Sequence, residues 1–169
     1  MTRLITALMV VVAVMLGDAA AALGQVTTER TRVRFEITSD TCSELPADTT
    51  LKGSGRQRSV TKTITDPNGI KTVVNYTRAR GNATSQRGVR YRFDYRNSFR
   101  ASNTAENSAQ YSGTMFDLFE LVRPGRRTLS NGFVAEFTTD LAESYTYQPL
   151  YAFGDPIDFA AGTARCDPL

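Results

Sequence analysis

Arginine recurs along one short stretch of the chain, residues 87–100, which read RGVRYRFDYRNSFR. If this stretch is a β-strand, side chains on one face follow one another at intervals of about 6.7 Å. Guanidinium groups bind sulfate, phosphate and carboxylate groups through a planar fork of N–H donors. Two further arginines are expected on the preceding strand. The candidate anion-binding residues are Arg78, Arg80, Arg90, Arg92 and Arg96.

A solvated strand face with internal salt bridges is the alternative interpretation of the same pattern. Asp94 shares the face of the arginines, whereas Tyr91, Phe93 and Tyr95 alternate onto the opposite, buried face. The aromatic stacking that single-stranded nucleic acid requires is therefore not predicted beside the arginines. Nothing in the sequence indicates specific nucleic-acid binding.

The composition restricts the catalytic chemistry that the chain could perform. Histidine is absent, which excludes Ser–His–Asp and Cys–His catalysis and every histidine metal site. No phosphate loop or dinucleotide fingerprint occurs, so we predict no cofactor, no metal ligand and no catalytic residue. Paired carboxylates remain the one broadly available catalytic device. The candidate pairs are Asp117 with Glu120, Glu136 with Asp140 or Glu143, and Asp155 with Asp158.

Charge is unevenly distributed along the chain. Residues 52–100 contain twelve Lys and Arg against two Asp, whereas residues 101–169 contain four Arg against nine carboxylates. This asymmetry is consistent with a basic surface for an anionic partner. It is equally consistent with basic and acidic strands that pair within one sheet.

The N-terminal residues 1–24 are predicted to be a cleaved signal peptide. Arg3 precedes thirteen almost wholly apolar residues, 4–16, and the small residues of AAAALG follow. This order is typical of an export signal, with the mature chain expected to begin at Leu23 or Gln25. An uncleaved anchor is the alternative, but the apolar run is shorter than the roughly 20 residues of a spanning helix. We expect a secreted or periplasmic protein with no membrane span in the mature chain.

The two cysteines, Cys42 and Cys166, stand near the two ends of the mature chain. Disulfides form and persist in oxidising compartments, so an exported chain is expected to join them. Two unpaired buried thiols are the alternative. Residues 25–169 are then a single domain closed by this disulfide.

Period-two alternation of apolar and polar residues dominates the chain, as in residues 32–37 and 89–96. The tetrad Asp66-Pro67-Asn68-Gly69 separates two Thr- and Val-rich stretches and predicts a hairpin. Segment 109–123 is ambiguous between a strand bulged at Gly113 and a short helix. Segments 143–151 and 157–165 each predict one more strand. The fold class is therefore all-β, a single antiparallel sandwich or barrel of about seven or eight strands.

Three sequence segments carry a resemblance to known proteins: YRFDYRNSF, FDLFELVRPG and the ending GDPIDFAAGTARCDPL. Through these three segments, the C-terminal half of the chain is similar to small exported proteins of actinobacteria and related high-GC bacteria. The resemblance implies an exported β-domain with a terminal disulfide, and it provides no catalytic residues to carry over to this chain.

A binding protein is the function that we expect, with an anionic polymer, a cell-envelope component or another protein as the partner. One alternative is a cofactor-independent enzyme in a β-barrel mouth that uses a carboxylate, a tyrosine and an arginine. The other is a structural or adhesive surface protein, which would have neither pocket nor charged patch.

Overall fold

The computed structural model describes residues 24–141, 145–153, 157–158 and 165–166, so almost all of the predicted signal peptide lies outside the described residues. Seven strands form one antiparallel sheet in which each strand pairs with the next along the chain. Two short strands pair separately with each other. The strands are β1 (Gln25–Thr38), β2 (Thr50–Thr65), β3 (Lys71–Ser85), β4 (Arg90–Ser102), β5 (Tyr111–Arg123), β6 (Arg126–Thr139), β7 (Tyr145–Phe153), β8 (Ile157–Asp158) and β9 (Arg165–Cys166).

The all-β prediction is confirmed by this architecture. The seven long strands belong to a single sheet, and within the described residues β1 and β7 do not pair with each other, so the sheet is not closed. Neither a sandwich nor a closed barrel is confirmed by this pairing. Across the same described ranges, no helix has the length and apolar character needed to cross a membrane.

The turn between β2 and β3 is the hairpin predicted at Asp66-Pro67-Asn68-Gly69. Asp66 Oδ1 accepts hydrogen bonds from the backbone N–H groups of Asn68 and Ile70, both at 2.9 Å. Gly69 has a φ of 80°, in the left-handed region that glycine adopts without a Cβ clash. This turn sets the register over the whole length of β2 and β3.

The ambiguous segment 109–123 contains strand β5, so the helical alternative is wrong. Gly113 pairs regularly with Ala101 and Phe137, and the irregularity lies instead between Leu121 and Val122. A Cβ at Gly113 would lie 1.8 Å from the carbonyl oxygen of Arg100. The glycine therefore permits a close approach of two backbones rather than a bulge.

The register gives the sheet two faces of different character. Phe35 pairs with Gly53, Tyr95 with Phe119, and Ala101 with Gly113, so odd-numbered residues oppose odd-numbered residues from β1 to β5. Because side chains alternate across a strand, these odd-numbered residues form one face, here called the inner face, which carries the buried core. The even-numbered residues form the outer face.

Aromatic rings fill the inner face at one end of the strands. Phe35 contacts Phe93 and Phe119 edge to face, with centroids 5.0 and 5.9 Å apart. A Cβ at Gly53 would lie 2.2 Å from the Phe35 ring, and one at Gly81 would lie 2.6 Å from the Phe93 ring. The glycines in β2 and β3 thus provide the space in which the two rings lie across the sheet.

The loop between β1 and β2 covers this end of the core. Cys42 and Leu45 are almost fully buried and belong to the same apolar cluster as Phe35. The partner predicted for Cys42 is Cys166, which lies in β9 opposite Ile157, but its side chain is outside the described residues. The Cys42–Cys166 disulfide therefore stays a prediction.

Candidate anion-binding face

The five candidate arginines all have even numbers and therefore lie on the outer face of β3 and β4. Arg78 is directly opposite Arg96, and Arg80 is directly opposite Asp94. Arg92 and Arg90 lie further along β4, opposite Asn82 and Thr84. The cationic side chains of β4 do not form one continuous row along the strand, because Asp94 separates Arg92 from Arg96.

The cationic row that the structure contains runs across the strands rather than along one of them. Four arginines lie directly opposite one another, one on each of β1 to β4. We call this set the arginine row: Arg30, Arg58, Arg78 and Arg96. Neighbouring strands are about 4.8 Å apart, so the row is about 14 Å long.

A second row lies two residues away on the same face and is only partly cationic. Its members, from β1 to β5, are Arg32, Arg56, Arg80, Asp94 and Glu120. The arginine row and this second row together are called the arginine face below. The face thus contains seven arginines and two carboxylates, and four of the arginines, on β1 and β2, were not among the predicted site residues.

Asp94 organises the part of the arginine face that lies on β3 and β4. Arg78 donates from both Nε and Nη2 to this carboxylate, with the Nε bond at 3.0 Å. Arg80 donates from Nε at 3.1 Å, and Arg96 donates from Nε and Nη2 at 3.3 and 3.4 Å. Arg96 also lies 3.8 Å from Glu120. Its hydrogen bond to Asp94 raises the pKa of Arg96, although burial opposes this effect.

The arginines on β1 and β2 are in a different situation. Arg30, Arg32, Arg56 and Arg58 are exposed. None of them forms an ion pair with a residue in the described part of the chain. Each explanation for the uneven charge therefore applies to a different pair of strands. The arginines of β3 and β4 form internal salt bridges, and those of β1 and β2 are exposed to solvent.

A shallow groove of about 480 Å³ lies beside the second row. Arg80 and Arg92 line it together with the carboxylates Asp94 and Glu120, and Val122 contributes apolar surface. Because its charged lining has both signs, this groove is less suited to an anion than the arginines of β1 and β2.

An apolar row runs parallel to the arginine row, two residues further along the strands. It consists of Val60, Tyr76, Phe116, Val134 and Tyr151, which are aligned across β2 to β7 with Ser98 between Tyr76 and Phe116. Tyr76 and Tyr151 are 47% and 62% exposed. The period-two pattern of residues 89–96 predicted aromatic side chains only on the buried face. The exposed Tyr76, which lies beside the arginines, was therefore missed.

The inner face contains a buried carboxylate, Asp117, which is only 5% exposed. Tyr95 donates its hydroxyl to Asp117 Oδ2 at 2.7 Å, and Asn97 Nδ2 donates to the same oxygen at 3.0 Å. The other oxygen, Oδ1, is buried and accepts no hydrogen bond from any described residue. Burial raises the pKa of Asp117 to about 6, and the bonds from Tyr95 and Asn97 oppose this shift.

The predicted carboxylate pair Asp117 and Glu120 is not brought together by the sheet. Asp117 lies on the inner face and Glu120 on the outer face, because their numbers differ in parity. Glu143, Asp155 and the side chain of Asp158 lie outside the described residues. Asp117 with Tyr95 is the carboxylate–tyrosine combination that the enzymatic alternative requires, but neither groove on the outer face reaches them. No cluster of three or more Cys, Asp or Glu side chains that could hold a metal ion occurs in the described part of the chain.

No family model, curated protein or solved structure matches the chain. The function is therefore inferred from the geometry of the arginine face.

Proposed function

We propose that the protein binds anionic polymers through the arginine face and that it acts by binding rather than by catalysis. One observation carries the proposal: Arg30, Arg58, Arg78 and Arg96 lie directly opposite one another on four adjacent strands. Like charges in directly opposite positions destabilise a sheet. Asp94 compensates Arg78 and Arg96. Arg30 and Arg58, in contrast, form no ion pair with a described residue, and a polyanion would provide the counter-charge there.

The available hydrogen-bond donors support this role. A guanidinium group has five N–H donors, and Arg80 uses only Nε to hold Asp94. Among the described residues its four Nη hydrogens have no acceptor, so they are available to a ligand. Asp94 holds the guanidinium groups of Arg78, Arg80 and Arg96 in place, which reduces the entropy that a ligand must overcome to order them, while its negative charge opposes an anionic ligand.

The proposal includes export and the Cys42–Cys166 disulfide, as expected from the sequence. N-terminal sequencing of the protein recovered outside the cytoplasm should begin at Leu23 or Gln25. Mass spectrometry of that protein, without reduction, should find Cys42 and Cys166 in one linked peptide pair. A free thiol at either position would remove the disulfide from the proposal.

Salt-dependent binding tests the arginine face. The mature protein is titrated with two linear polyanions of different chemistry, polyphosphate and polygalacturonate, at several salt concentrations. A polyanion that makes about six contacts loses roughly a thousandfold in affinity between about 50 and 200 mM salt. Affinity that is insensitive to salt for both polymers, or no binding at about 50 mM salt, would contradict the proposal.

A pair of charge-matched variants assigns the binding to the arginine face. Arg30→Ser/Arg56→Ser/Arg58→Ser removes three arginines that form no ion pair with a described residue, and Lys71→Ser/Arg87→Ser/Arg123→Ser removes the same charge from exposed positions elsewhere. We expect the first variant to lower affinity at least about tenfold and to reduce the salt slope by about two. We expect the second variant to bind nearly as wild type. Equal losses in both variants would show that net charge, not this face, governs binding.

A further inference from the structure

We propose that the ligand of the arginine face is an acidic polysaccharide, whose sugar rings lie against the apolar row while its anionic groups reach the arginine row. This inference rests on the proposed function and narrows it to one class of polymer. It depends on the apolar row, which plays no part in the argument for anion binding.

The two rows are adjacent and parallel. Tyr76 pairs with Ser98 and Val60, and the next outward-facing pair along the strands is Arg78 with Arg96. The rows are thus separated by one two-residue repeat, about 6.7 Å. A ligand that lies across the strands can therefore contact both rows at once.

A sugar ring in an acidic polysaccharide has the chemistry that this pair of rows would recognise. Its C–H groups form an apolar face that packs on an aromatic ring, and its carboxylate or sulfate projects from the edge of the ring. Aromatic side chains with an apolar body and a polar tip are suited to such surfaces. The two rows lie side by side on β2 to β4, a distance of about 10 Å, which is enough for about two consecutive sugars.

Other anionic partners fit the two rows less well. Polyphosphate has no apolar surface to place on the Tyr76 side of the face. Single-stranded nucleic acid stacks successive bases on successive aromatic rings, whereas the neighbours of Tyr76 across the strands are Val60 and Ser98. A lipid surface requires apolar side chains that penetrate several ångströms, but Val60, Phe116 and Val134 are half-buried in the sheet surface.

The test measures the binding of three polymers to wild type, to two variants at Tyr76 and to one control variant. Polygalacturonate, polyphosphate and an oligo-dT strand are titrated against the mature wild-type protein and against Tyr76→Ser, Tyr76→Phe and Val89→Ser. Tyr76→Phe keeps the ring, and Val89→Ser removes an exposed apolar side chain outside both rows. We expect Tyr76→Ser to lower the affinity for polygalacturonate about fivefold to tenfold. We expect it to leave polyphosphate binding unchanged, and we expect both control variants to bind polygalacturonate as wild type.

Each other result would overturn the inference in a distinguishable way. If Tyr76→Ser binds polygalacturonate as tightly as wild type, the apolar row does not contact the sugar. If it weakens polyphosphate equally, the substitution acts through the arginines. If oligo-dT binds more tightly than polygalacturonate and is the ligand weakened by Tyr76→Ser, the partner is a nucleic acid. If no polymer shows binding that depends on Arg30, Arg56 and Arg58, the proposed function itself fails.

Discussion

Asp94 and Asp117 lie on adjacent strands of one sheet, on opposite faces, and their carboxylates are accommodated by different means. Asp94 accepts N–H groups from three arginines and remains partly exposed. Asp117 is buried and accepts two hydrogen bonds from neutral groups on one oxygen, whereas no residue in the described part of the chain donates to the other. One carboxylate is compensated by charge, and the other is not.

The difference shows which term dominates on each face of the sheet. On the outer face cationic neighbours are more numerous than carboxylates, so the fold has an excess of positive charge that Asp94 only partly neutralises. On the inner face desolvation dominates, because a buried carboxylate without a cationic partner disfavours ionisation. The outer face therefore has an excess of positive charge that an anionic ligand can bind. The inner face has a buried carboxylate without a cationic partner, and its ionisation lowers folding stability at neutral pH.

The largest expected effect is the pH dependence that Asp117 gives to folding stability. Its folded pKa of about 6 lies above the value of about 4 expected in the unfolded chain. A raised folded pKa contributes stability that is complete below the unfolded pKa and is lost as pH rises through the folded pKa. Between pH 4 and pH 7 this loss amounts to about 2 kcal/mol. Asp117→Asn should therefore lose less stability over this range than wild type.

Urea denaturation of wild type and Asp117→Asn at several pH values measures this difference. The cost of burying the introduced amide does not depend on pH, so it leaves the slope of the unfolding free energy against pH unchanged. The two proteins are therefore compared by these slopes. Glu106→Gln, a change at an exposed loop carboxylate, is the control and should keep the wild-type slope. Parallel pH profiles for wild type and Asp117→Asn would show that Asp117 ionises in the fold without cost.

Removal of the tyrosine hydroxyl should have a smaller effect on the same site. Tyr95→Phe deletes the 2.7 Å hydrogen bond to Asp117, which favours the ionised carboxylate. We expect a loss of about 1–2 kcal/mol at pH 7 and a smaller loss at pH 4, where the carboxyl is neutral in both variants. A double-mutant cycle with Asp117→Asn measures the coupling, and a loss that is equal at both pH values would assign it to packing of the ring.

The strand content and the two faces of the sheet were predictable from sequence because they follow from local patterns. Alternation at residues 89–96 correctly assigned the arginines and the aromatic residues to opposite faces, and Asp66 with Gly69 correctly located a hairpin. The cross-strand register was not predictable, since it depends on which strands pair and on the length of every turn. Arg30 and Arg58 therefore joined the site only in the structure, and Tyr76 was missed because its own strand showed no aromatic pattern.

The smallest expected effect is that of Asp94→Asn. This substitution distinguishes the contribution of charge on the outer face to sheet stability from its contribution to ligand binding. The substitution removes the carboxylate shared by Arg78, Arg80 and Arg96 while keeping its shape. Partly exposed ion pairs contribute little, so we expect a loss of only about 1 kcal/mol in stability. Added salt should reduce this loss by screening the three arginines from one another.

Binding should change in the opposite direction in the same variant. With one negative charge fewer, the arginine face should bind polygalacturonate a few times more tightly at low salt, with a salt slope steeper by about one. Titrations of wild type and Asp94→Asn at two salt concentrations measure both quantities. If affinity falls together with stability, the main role of Asp94 is to hold the guanidinium groups in place for the ligand. If affinity rises while stability falls, the carboxylate on the outer face stabilises the sheet and competes with the polymer for the same arginines.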